Sequence, residues 1–293
     1  MKSDYLHNNA DHHILGMVRI AVFGIWFLLV WFTPVQEYAH FPAESFSTYG
    51  IYRLLFDFIP MAALEIILTS GFLITLKVIL LVCCLMCAAG VRPWYPLAAL
   101  TLLLIFLFDA IVRGYYGYVN HAQLSLIAAT IVIILFPAAD GWSIAGERIK
   151  SVTENSYRLP VVVSALLLCL PYSFIGVHRI FYGGLEIFTG DALLRYMSVQ
   201  SLNYSEYGFE LGLIILQSEI IAILFKAGFF VITVFEILTP LALIYRRFRL
   251  IWLAMIIPFH FLTLVTMNIF FWENLILILA LLTGLPYYIR GFR

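Results

Sequence analysis

Charged side chains are scarce in this chain. Asp, Glu, Lys and Arg make up 12% of its 293 residues, about half the roughly 25% of an ordinary soluble domain. Hydrophobic residues take 63%, and the mean hydropathy is +0.99. Such a composition cannot cover a water-facing surface, which excludes an ordinary soluble globule or a disordered chain. The few charges balance, 17 basic against 17 acidic. With no basic excess, no nucleic-acid partner is expected.

Cysteine is also sparse. Cys83, Cys84, Cys87 and Cys169 all lie inside apolar runs. The C-x-x-C spacing of Cys84 and Cys87 reads as small apolar packing on a membrane helix, and no structural disulfide is expected. Metal-ligand spacing is missing as well: His12 and His13 are adjacent and sit in a polar tail. The chain has no glycine-rich phosphate loop, no nucleophile elbow and no lipidation motif. A cleavable leader is not expected either, because the first apolar run begins at Ile14, contains Arg19 and is long enough to span.

What the chain has in quantity is apolar runs of about 20 residues, the length that crosses a bilayer as helix. They fall at 14–33, 61–90, 94–112, 121–137, 159–181, 226–245, 250–268 and 271–288. The expected fold is all-α: a single polytopic membrane helix bundle over 1–293, with about eight transmembrane helices plus interfacial helices. Two longer connections, 34–60 and 182–210, separate the spans. The first contains an amphipathic piece, 51–59, with Arg53 and Asp57. The segment 211–224 is apolar but short, holds Glu219, and reads as interfacial or re-entrant. No internal repeat is visible, which argues against a transporter built from inverted halves.

The basic residues are distributed unevenly between the two faces. With eight spans, ten of them fall on the N-terminal side and three (Arg53, Arg113 and Arg195) on the other. The positive-inside rule then puts both termini in the cytoplasm of a cell whose cytoplasmic (inner) membrane holds the protein.

Several polar residues interrupt the spans. A charge near the bilayer centre costs at least ~2.5 kcal/mol, so it faces a cavity or a partner. The run Pro171–Arg179 closes the fifth span with His178 and Arg179. At 1.5 Å rise per residue, Glu236 and His260 belong near mid-membrane, and Lys77 halfway along the second span. Asn120 and His121 open the fourth span. The bland readings stay open beside a site. Arg179 can snorkel and His178 can cap a helix end. Asn120 can be an N-cap, and Pro258 can kink a helix with His260 satisfied. Glu236 with Pro240 can hydrogen-bond a kinked backbone. Asp109 and Arg113, four apart, read as a structural ion pair. Lys77 needs a partner or a cavity, and Arg19, near the membrane surface, reads as snorkelling.

The chain resembles the membrane domain of vitamin K-dependent γ-glutamyl carboxylase, the horizontally transferred transmembrane (HTTM) domain. The resemblance runs over most of the chain. It rests on Arg19, Asn120-His121, Asp140-Gly141-Trp142-Ser143-Ile144-Ala145-Gly146, Tyr172-Ser173-Phe174-Ile175-Gly176-Val177-His178-Arg179 and Phe259-His260, in that order. It implies functional histidines at His121 and His260. It also implies a lysine base for hydroquinone deprotonation at the position that here reads Arg179. Arginine does not act as an ordinary base at neutral pH, and the sequence ends at Arg293 without the soluble segment that grips the carboxylase's peptide. The expectation is therefore a membrane protein that binds or transforms a lipophilic, quinol-like small molecule without vitamin K-dependent glutamate carboxylation. His121, His178, Arg179 and His260 are the candidate catalytic residues. Asn120, Glu236, Lys77 and Tyr172 are the candidate substrate-binding residues, and a quinone or hydroquinone is the implied cofactor or substrate. The alternative is a non-catalytic membrane partner of a secreted peptide, acting in toxin maturation, export or immunity.

Overall fold

A computed structural model describes residues 2–48, 50–115, 121–144, 146, 155–203, 207–209 and 211–284. The described residues are overwhelmingly helical and contain no strand. Six helices are long and apolar enough to cross a membrane, and two shorter apolar helices, Gln123–Ile134 and Trp272–Thr283, fall where the fourth and eighth spans were expected. The chain is an integral, multi-pass, all-α membrane protein. It divides into two compact units, Met1–Ser164 and Ala165–Arg293.

In the first unit, α1 (Lys2–Phe32) is followed by three short 3₁₀ turns, Val35–His40, Ala43–Ser45 and Gly50–Tyr52. Then come α2 (Arg53–Phe56), α3 (Met61–Ile67), α4 (Ser70–Ala89), α5 (Trp94–Gly114) and α6 (His121–Ile134). The expected second span is thus two helices. The chain breaks at Leu68-Thr69, where Thr69 turns extended and its hydroxyl accepts the Phe72 N–H at 3.4 Å, capping α4. A capping threonine outcompetes continuation of the helix because it satisfies a backbone donor that a first turn leaves free.

Arg19 does not snorkel. It is fully buried, and its guanidinium donates to four carbonyls: Ala88 O (3.2 and 3.1 Å), Ala138 O (2.5 Å), Gly141 O (2.9 Å) and Trp142 O (2.7 Å). The carbonyls come from the end of α4 and from the 138–142 turn, so one side chain ties α1 to both. The Asp140-Gly141-Trp142 motif is therefore a receptor for Arg19. Gly141 is required there: a Cβ would collide with the His12 carbonyl of α1. Asp140 in turn accepts from Arg92 at 3.1 Å and from the Tyr157 hydroxyl at 2.8 Å.

The second unit begins within α7 (Asn155–Gly183). It continues with α8 (Glu186–Thr189), α9 (Ala192–Asn203), α10 (Leu211–Leu216), α11 (Glu219–Ile237), α12 (Leu241–Ile244), α13 (Arg246–Met267) and α14 (Trp272–Gly284). The segment expected to be one interfacial piece, 211–224, is split. Ser218 caps α11 by accepting from Ile221 N at 3.5 Å, so Glu219 opens a long apolar helix. That helix stops at Ile237, and α12 resumes after Pro240. The sixth span is consequently interrupted inside its expected range.

The short helices α9 and α10 pack against the long ones: Leu193, Met197 and Ile215 form a buried cluster with Met267 of α13, and Phe225 and Phe229 of α11 lie against it. Asn268 ends α13 in the left-handed region (φ 52°) and exchanges two 2.9 Å hydrogen bonds with the backbone of Phe209, one in each direction.

Candidate functional site

One face of α7 carries the candidate site. Tyr172, Gly176 and Arg179 stand at i, i+4 and i+7, a single helical stripe about 10 Å long at 1.5 Å per residue. The facing stripe of α11 is Phe229, Thr233 and Glu236. Gly176 lets the two helices approach. A Cβ there would meet Ile237 Cγ1 at 2.8 Å and the Thr233 carbonyl at 3.0 Å, contacts too short for any larger residue without separation of the backbones.

Arg179 forms an ion pair with Glu236. Its guanidinium carbon also stands 4.7 Å from the centroid of the Phe229 ring, a cation–π contact. The carboxylate is nearly sealed, its side chain 3% exposed, while the arginine side chain is 22% exposed. The pair therefore has a closed end and an open end.

The interruption of α11 is covered by hydroxyl groups. Ser173 Oγ donates toward Glu236 O at 3.3 Å and Ile237 O at 3.2 Å. Thr239 Oγ1 donates to Glu236 O at 2.7 Å and accepts from Trp252 Nε1 at 2.9 Å. Non-helical backbone at membrane depth persists only where protein groups or a cavity satisfy it, and here Ser173 of α7 and Thr239 of the break itself contribute. The Glu236 carboxylate thus serves Arg179 and not the kinked backbone expected for it; only its carbonyl belongs to the break.

Two turns before Arg179 on α7, the Tyr172 hydroxyl shares a 2.8 Å hydrogen bond with His260 Nε2 of α13. Both residues are buried. Tyr172 also lies edge-on to Trp252, and His260 lies edge-on to Phe271. Pro258 sits inside α13 two residues before this histidine. The second ring nitrogen of His260, Nδ1, is buried with no hydrogen-bond partner among the described residues. The satisfied-histidine reading is therefore half right.

The other candidates stand elsewhere. His178 neighbours Arg179 in sequence but points about 100° away around the helix; it is exposed and stacks on Tyr182 with ring centroids 4.3 Å apart. Lys77, in the first unit, donates to the Thr33 carbonyl at the end of α1 at 2.8 Å, so its amine caps a helix. His121 is the first residue of α6 in that same unit; its side chain lies outside the described residues, as does Asn120.

The Asp109–Arg113 pair is present at 3.5 Å and is larger than expected. Arg113 also donates to Gln123 at 2.6 Å, and the buried Tyr52 hydroxyl donates to Asp109. Burial, and then the neighbouring carboxylate, hold the Tyr52 phenol well above the ordinary tyrosine range, so it remains a donor. The sequence signal for Tyr52 was slight: an aromatic residue in a short amphipathic stretch. Ser173, Gly176 and Phe229 were also missed as site residues. For Gly176 the signal was its place on the face shared by Tyr172 and Arg179; Ser173, about 100° around the helix from Tyr172, carried only a hydroxyl inside an apolar span, and Phe229 carried none beyond its i−7 relation to Glu236.

No family model matches this chain, nor does any curated protein or solved structure.

Proposed function

We propose that the second unit binds a lipophilic hydroxylated molecule of the quinol class in an outward-facing intramembrane pocket and moves a proton from it. In this reading the fold resembles the membrane domain of γ-glutamyl carboxylase without performing vitamin K-dependent glutamate carboxylation. The observation that carries the reading is the pairing of Tyr172 with His260, whose Nδ1 is unfilled, on the same face of α7 as Arg179.

When His260 donates its Nε2 proton to Tyr172, Nδ1 holds a free lone pair and can take a hydroxyl proton. The resulting oxyanion is stabilised by Arg179, which Glu236 holds in place and which stays protonated throughout. Arg179 thereby replaces the family's lysine base with a fixed cation, and the base moves to His260.

The membrane is the cytoplasmic one, with both termini inside, on the strength of the ten-to-three distribution of basic residues. Reporter fusions after Arg148 and after Arg195 test the orientation; a cytoplasmic Arg195 junction overturns it.

The functional test is organic extraction of the purified protein followed by mass spectrometry. A co-purifying quinone or phenolic amphiphile is expected from the wild type, and loss of it from His260→Ala and Arg179→Lys at unchanged yield. Retention of a peptide instead, or an empty wild type, overturns the quinol reading; a retained peptide favours the secreted-peptide partner.

A further inference from the structure

A second site lies in the first unit, independent of the one above. The segment from Phe46 to Leu64 surrounds a cleft of about 580 Å³. One wall is apolar, formed by Phe56, Met61 and Leu64; the polar part includes Ser47, Arg53 and Asp57.

Its depth follows from the helix beside it. α4 has 20 residues, about 30 Å at 1.5 Å per residue, which is the thickness of the hydrocarbon core. α3 immediately precedes α4 and is too short to enter the core as a span. The cleft is therefore at headgroup level. Beside it Phe58 is 84% exposed and Ile66 is 65% exposed, apolar surface suited to the boundary between headgroups and acyl chains.

Among the described residues, the charged side chains that line the cleft are one of each sign, Arg53 and Asp57. Arg53 and Asp57 are four residues apart and pair at 3.1 Å, with side chains 65% and 45% exposed. An exposed i,i+4 pair is worth about 0.5 kcal/mol or less, so a ligand carrying both complementary charges displaces it at little cost. A ligand with a single charge of either sign would leave one member of the pair unmatched. A neutral ligand would use neither.

We infer that the cleft binds the headgroup and first acyl carbons of a zwitterionic phospholipid. Arg53 receives the phosphate, Asp57 the ammonium, and Phe56, Met61 and Leu64 the upper chain. The two protein charges are one helical turn apart, about 5–6 Å between Cβ atoms, a span that a phosphate and an ammonium joined by two carbons can bridge.

Native mass spectrometry of the full chain tests this. The protein in detergent is titrated with phosphatidylethanolamine, phosphatidylglycerol and diacylglycerol of identical chains. Phosphatidylethanolamine is expected to bind at about fivefold lower concentration than either of the others, the scale of one exposed charge contact. Arg53→Gln and Asp57→Asn are each expected to erase that preference, and the exchange R53D/D57R to restore it, because the swapped pair still offers both signs. Equal binding of phosphatidylglycerol by the wild type, or a preference that survives both single substitutions, overturns the proposal. The wild-type comparison decides even if a variant fails to fold.

Discussion

Two arginines, Arg19 and Arg179, lie within apolar helices of this protein, and their surroundings differ in kind. Arg19 is sealed and donates to backbone carbonyls of two segments. No carboxylate serves it through a described ion pair. Its donors are filled by groups that cannot move without unfolding the turn they belong to. Arg179 has one carboxylate and one aromatic face and remains partly open. Arg19 is a structural pin, whereas Arg179 has donors to spare among the described residues, its one ion pair there being to Glu236. A guanidinium with five donors ends its role in the fold when all are occupied. When they are not, it retains capacity for an anion.

The contrast is broken most severely at Arg19. Arg19→Ala would strand four carbonyls in a dry interior, and the expected loss is about 4 kcal/mol or more. In detergent, little folded protein should survive size-exclusion chromatography. Arg19→Lys should fare nearly as badly, since a single ammonium cannot reach both the α4 end and the 138–142 turn in the arginine geometry. Normal yield from Arg19→Ala would show that the pin is dispensable.

Glu236→Ala comes next. It leaves Arg179 without its counter-charge, at an expected cost of about 3 kcal/mol, read as a lowered melting temperature. The double replacement R179L/E236L removes both charges and should recover most of that stability while losing the retained amphiphile. Recovery of stability together with retention of the amphiphile would reduce the pair to packing.

Gly176→Ala should cost about 1–3 kcal/mol by overpacking α7 against α11. Because it shifts both stripes, it should weaken amphiphile retention as well; a shift in melting temperature without a change in retention would separate helix packing from the site. Tyr172→Phe removes only a hydroxyl and should cost about 1 kcal/mol in stability. Its larger effect should be on the His260-dependent chemistry. Smallest of all, Lys77→Met should change stability by about 1 kcal/mol or less, since a single capping hydrogen bond is lost, and should leave retention unchanged. A loss of retention in Lys77→Met would put the lysine back in the site.

Much of this was legible in the residues themselves. The scarcity of charge and the spacing of apolar runs determined a polytopic all-α membrane protein, because the bilayer admits only segments that satisfy their own backbone. Counting along the spans put Glu236 and His260 near mid-depth and Lys77 halfway along the second span. Those inferences are local: each depends only on the rise and twist of a helix.

Partner choice was not legible, because it depends on which helix faces which. Sequence could not tell that Arg19 would find carbonyls and Arg179 a carboxylate, although both are arginines in apolar runs. Nor could it tell that Lys77 would cap α1, that His260 would pair with Tyr172 and leave Nδ1 empty, or that Gly176 marks the close approach of α7 and α11. The breaks at Leu68-Thr69 and after Ile237 were hidden for the same reason. Thr69 does supply its own cap, but the carbonyls freed at Glu236 and Ile237 are served by Ser173, 63 and 64 residues away in the chain. The sequence alone determined where polar groups had to be buried in the membrane; the tertiary structure decided which would be satisfied by backbone and which would keep a free valence, since that depends on long-range packing.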